Sequence, residues 1–68
     1  MANVAQSIVD RAILESLRDE TPVTVDSEDD CSRDDLVCVV ESAADGYADG
    51  CYYGFGATGH RWQIRVAS

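Results

Sequence analysis

The stretch Cys51–Ala67 constrains the fold of this chain more than any other. Two alternating runs, Cys51–Ala57 and His60–Ala67, flank Thr58-Gly59. If those two residues form the loop, Cys51–Val66, Tyr53–Ile64 and Phe55–Trp62 face one way, while Tyr52–Arg65, Gly54–Gln63 and Gly56–Arg61 face the other. This register separates an apolar face from a polar one, and a slip of one residue would turn a whole strand over. Thr-Gly is not a favoured two-residue loop, so a bulged three-residue loop is the alternative. A two-stranded ribbon is marginal alone, so the remaining elements must cover its apolar face.

Those elements are legible upstream. Pro22–Asp26 (PVTVD) is β-branched and alternating, which predicts a short strand with proline tolerated at its first position. Before it, Asn3 followed by Gln6 reads as a helix N-cap with its reciprocal partner. That helix should run to about Asp19, since Pro22 disfavours helical geometry just ahead of it. Its apolar face is Ala5, Ile8, Val9, Ala12, Ile13 and Leu17, and Leu14 falls nearly opposite, among Ser7, Asp10 and Arg18. A second helix is predicted from about Arg33 to Asp45, capped by Ser32 or Ser27 and followed by Gly46 at C′. It should bury Leu36, Val37, Val39, Val40, Ala43 and Ala44, with Cys38 on the far side beside Asp34, Glu41 and Asp45. Gly46–Gly50 (GYADG) reads as a turn. The expected architecture is one α+β domain over residues 1–68. Two helices pack on a three-stranded antiparallel sheet, in the order α-β-α-β-β, ending in a β-hairpin.

The chain is short enough that charge matters. Its 68 residues hold nine Asp and four Glu, five cations that are all arginine and no lysine, for a net charge of −8. Such self-repulsion is severe in dilute buffer but largely vanishes in molar salt, where the screening length falls to about 3 Å. In this respect the composition resembles proteins of extreme halophiles, which implies a cytoplasm kept at molar salt. An apolar fraction of 46% is too high for disorder. The longest apolar run, Leu36–Val40, is five residues, too short to span a membrane. The N-terminus has no basic-then-apolar signal pattern, so a cytoplasmic location is expected. Three cysteines, an odd number, fit free thiols better than a disulfide framework.

Motifs that would carry chemistry fail on context. In Asp26–Asp35 (DSEDDCSRDD) the calcium-loop pattern meets Cys31 where glycine is needed and Val37 where a bidentate glutamate is needed. Gly54–Gly59 (GFGATG) spells the dinucleotide fingerprint, but a strand follows it instead of a helix. Cys31, Cys38, Cys51 and His60 lack the short Cys spacing of a zinc knuckle. His60 has no carboxylate or nucleophile predictably aimed at it. These patterns lead to an expectation of no catalytic residue, no metal, no cofactor and no small-molecule substrate.

The remaining candidate is a surface. Tyr52, Arg61, Gln63 and Arg65 would form a cationic, aromatic-bearing patch on the polar face of the hairpin, able to grip phosphates or fill a partner's pocket. Leu14 and Cys38, both out of face on their helices, are a possible second contact. The favoured expectation is a non-catalytic regulatory or interaction module acting as a homodimer or on another protein. The alternative is nucleic-acid binding through the hairpin arginines.

The order helix, strand, helix, hairpin, ending in the RWQIRV of Arg61–Val66, resembles a reduced winged helix-turn-helix domain. The resemblance implies a transcription-associated role with Arg61 and Arg65 on the wing. It also implies that Ser27–Ser32, the only stretch available, supplies the extra helix of that fold.

Overall fold

A computed structural model describes residues 4–67. Helix α1 is Val4–Asp19, strand β1 Val23–Val25, helix α2 Arg33–Ala43, strand β2 Gly46–Ala48, strand β3 Cys51–Phe55 and strand β4 Arg61–Val66. The expected N-cap Asn3 lies outside the described residues. No helix among those described is long and apolar enough to cross a membrane.

The class is α+β, as expected, but the sheet differs from the expected one in two ways. It has four strands in the order β1-β4-β3-β2, and β1 runs parallel to β4. The fourth strand comes from the segment read as a turn. Tyr47 pairs with Tyr52 and Ala48 with Cys51, leaving Asp49-Gly50 as a two-residue loop. Both loop residues have positive φ, 55° and 81°, the geometry of the hairpin turn whose strand twist matches its flanks and which favours Asp-Gly. Because β1 and β2 run the same way at opposite edges, α2 must cross over the sheet between them.

α2 begins as its sequence requires. The Ser32 hydroxyl accepts from the Asp35 amide, and the Asp35 carboxylate accepts from the Ser32 amide. The helix ends at Ala43, two residues earlier than expected, and Gly46 lies in β2, not at C′. Leu36 and Val40 are fully buried, Val37 and Val39 half-buried, while Ala43 is exposed. Ser27–Ser32 is not helical. Glu28 and Cys31 exchange backbone hydrogen bonds of 2.8 and 3.0 Å around a turn, and Cys31 packs into the core.

Both helices cover one face of the sheet. Ala5, Val9 and Ala12 of α1 meet Leu36 and Val40 of α2 over Val25, Trp62 and Ile64. The one buried polar residue among those described is Ser16, on the same helical face. Its hydroxyl donates to the Thr21 carbonyl at 2.8 Å and accepts from the Gln63 amide at 2.9 Å. The β1–β4 ladder explains this arrangement. Ala67 donates to Val25 O, and the same offset would bring Gln63 opposite Thr21, just before β1 begins. Ser16 is inserted into that rung, so α1 is bonded to the sheet as well as packed on it.

Candidate functional site

The hairpin turns over three residues, the bulged alternative of the sequence reading. The Gly59 amide donates to Gly56 O at 2.9 Å, and the Gly56 amide to His60 O at 2.8 Å. Gly59 takes the positive φ, 85°, that closes such a loop. Relative to a Thr58-Gly59 loop, this shifts β3 by one residue against β4. The pairs are Tyr52↔Ile64, Tyr53↔Gln63, Gly54↔Trp62 and Phe55↔Arg61.

A one-residue shift exchanges the two faces of the shifted strand. On β4 the expected alternation holds: Trp62 and Ile64 are buried, and Arg61 and Arg65 are exposed. On β3 it is reversed. Tyr52 and Gly54 share the core face, while Cys51, Tyr53 and Phe55 join Arg61, Gln63 and Arg65 on the face without helices. Tyr52 therefore leaves the expected patch. It packs against the core, its ring 4.7 Å from that of Tyr47, and its hydroxyl donates to a Glu41 carboxylate oxygen at 3.3 Å. Burial, and after it the charge and hydrogen bond of Glu41, hold the Tyr52 phenol above its ordinary range.

The uncovered face carries Thr24 from β1, Arg61, Gln63 and Arg65 from β4, Cys51, Tyr53 and Phe55 from β3, and Gly46 and Ala48 from β2. None of these positions is a carboxylate, although the chain has thirteen acids. Phe55 is 55% exposed. The Arg61 guanidinium lies over the Tyr53 ring, 4.5 Å from its centre, and Tyr53 stands edge-on to Phe55 at 6.2 Å. Tyr53 extends over Gly46, where an added Cβ would strike its ring. A guanidinium nitrogen of Arg65 would come within 3.9 Å of a Cβ at Gly50. The adjacent Cys51 is buried, yet it lies outside the core cluster.

Sequence reasoning thus found Arg61, Gln63 and Arg65 but missed Tyr53 and Phe55, because it set the loop one residue short. The signal was Gly59, which suits the left-handed position ending a three-residue loop. Leu14 and Cys38 are both exposed, Leu14 at 67%. They stand on helices packed against the opposite face of the sheet, so neither adjoins the uncovered face.

The candidate metal ligands do not converge. Cys31 and Cys51 are buried in different environments, Cys38 is exposed on α2, and His60 is exposed at the hairpin tip. Among the described residues no group of three or more His, Cys, Asp or Glu side chains could hold a metal ion. Compared with known proteins, the chain matches no family model, no curated protein and no solved structure.

Proposed function

We propose that this protein is a non-catalytic regulatory or interaction module that docks another protein on the uncovered face of its sheet. The observation that carries the reading is charge segregation. Arg61 and Arg65 are two of only five cations, and they share an acid-free face with Tyr53 and the exposed Phe55. Arginine and aromatic side chains dominate binding energy where they are desolvated together. A standard interface takes about 800 Å² from each partner, under a fifth of the 4510 Å² that this molecule exposes.

Charge also decides what kind of partner fits. A second copy packed symmetrically on this face would oppose Arg61 and Arg65 to their own kind. A partner offering carboxylates around an apolar centre is complementary. Self-association, where it occurs, is assigned to other surfaces, among them the exposed Leu14 and Cys38 on the helices. We further propose that the protein works in the cytoplasm at molar salt. None of the thirteen acids is buried, and Arg18–Asp19 is the one ion pair among the described residues.

Capture from lysate of the source cells in molar potassium chloride tests the docking reading, using wild type, Phe55→Asp with Arg61→Glu, and Leu14→Asp. A partner retained by wild type and Leu14→Asp but lost by the double variant is the expected result. Retention by all three would end the proposal.

The same face supports a second reading, single-stranded nucleic acid. Tyr53 and Phe55 lie beside arginines on the neighbouring strand, and stacking on such rings contributes about 1–3 kcal/mol per base. Oligonucleotide titration in high potassium salt separates the two. This reading requires Arg61→Ala with Arg65→Ala to weaken binding, and fails if affinity is unchanged or no binding is seen.

A further inference from the structure

A separate, shallow site lies where α2 ends and the chain enters β2, on the core side of the sheet and away from the uncovered face. It is a cavity of about 300 Å³ lined by Glu41, Ala44, Asp45, Gly46, Tyr47 and Tyr52. Two aromatic rings bound it: Tyr47 is 61% exposed, and its ring meets that of Tyr52 at 70°. The Tyr52 hydroxyl fixes the Glu41 carboxylate at 3.3 Å.

Both charged side chains that line this corner, Glu41 and Asp45, are acidic. The carbonyl end of a helix carries a partial negative charge that a cation in the last turn ordinarily offsets. α2 has no basic residue in its last turn, and Glu41 and Asp45 flank its end. Among the described residues neither carboxylate has a cation within ion-pair distance. Arg33, whose charge is felt at Tyr52, is engaged by the Ala67 carbonyl at 3.1 Å. The corner therefore combines two carboxylates that lack an ion-pair partner with aromatic rings, the combination that attracts an organic cation.

We propose that this corner binds an alkylammonium group, with Tyr47 and Tyr52 contacting its carbon-bearing surface and Glu41 and Asp45 balancing its charge. The group arrives either on a free amine or on a lysine side chain of another protein. The site is independent of the sheet-face docking reading.

The test is a heteronuclear NMR titration in a constant molar potassium chloride background. The probes are n-butylammonium for the free amine and N-acetyl-lysine methylamide for the protein-borne one. The proposal expects saturable shifts confined to residues 41–47 and 52, with millimolar midpoints for at least one probe. The tighter probe identifies the source. Tyr47→Ala, at an exposed position that leaves the fold intact by its amide spectrum, should weaken binding at least tenfold, and Glu41→Gln several-fold. Shifts that do not saturate, or a midpoint unchanged by Tyr47→Ala, would overturn it.

Discussion

Ser16→Ala is the most demanding perturbation of this fold, because a single hydroxyl holds three segments together. Ser16 is 2% exposed and bridges the Gln63 amide and the Thr21 carbonyl. Removing its oxygen leaves the part-buried Gln63 amide and Thr21 carbonyl without their partner, and an unsatisfied group costs up to about 1–3 kcal/mol when buried. Allowing for partial closure of Thr21 onto Gln63, a loss of about 2–4 kcal/mol is expected. A chain of 68 residues has only about 3–10 kcal/mol of total stability. In a domain this small each kcal/mol shifts the midpoint by about 4–8 °C, so Tm should fall by about 10–30 °C. Urea unfolding in molar potassium chloride should show a lower midpoint with an unchanged slope. Ser7→Ala, exposed on the same helix, is the control and should change stability by under about 0.5 kcal/mol. A Ser16→Ala loss as small as the control's would refute the bridged rung.

Three further outcomes follow from the packing. An added Cβ at Gly54 would enter the indole of Trp62, itself 3% exposed, so Gly54→Ala should cost about 1–3 kcal/mol by denaturant unfolding. Gly46→Ala meets only the far end of the Tyr53 side chain, on the uncovered face, and should cost less. In a native thiol titration Cys38 should react fast, and Cys31 and Cys51 only on unfolding, since the last two are buried. Burial, aided by the charges of Asp35 and Glu28, raises the Cys31 thiol, and burial with Glu41 raises the Tyr52 phenol. Both groups therefore stabilise the fold while protonated. Their contribution is complete below the unfolded thiol value near about 8.5 and is lost as pH rises through the folded values. The urea midpoint should decline from about pH 8.5 upward, and Cys31→Ala should flatten the first part of that decline.

What the sequence disclosed was mostly local. The α1 face, the Ser32 cap and the alternation of β4 follow from spacing alone. Ser16 continues the buried series Ala5, Val9, Ala12, but a face chosen by hydrophobicity passes over a serine. The Asp49-Gly50 turn, between Tyr47 and Tyr52, is a hairpin signal, and reading all of Gly46–Gly50 as one turn passes over the strand that precedes it. The parallel pairing of Val23–Val25 with Ile64–Val66 joins residues about forty positions apart, and no local pattern encodes its direction. The candidate surface depended on whether one loop holds two residues or three. Its arginines were legible because β4 keeps its facing in either case, whereas its aromatic partners were not.

The docking face depends on the strand register that turns Tyr53 and Phe55 outward beside Arg61 and Arg65. Cross-strand nuclear Overhauser contacts measure that register directly. Because the Gln63 amide is directed to Ser16, Tyr53–Gln63 and Phe55–Arg61 are the closely spaced, non-hydrogen-bonded pairs, with Cα atoms about 4.5 Å apart. Strong Hα–Hα contacts within those two pairs are the predicted result. Contacts pairing Tyr53 with Ile64 and Phe55 with Trp62 would turn the aromatic residues inward and contradict the proposed docking face.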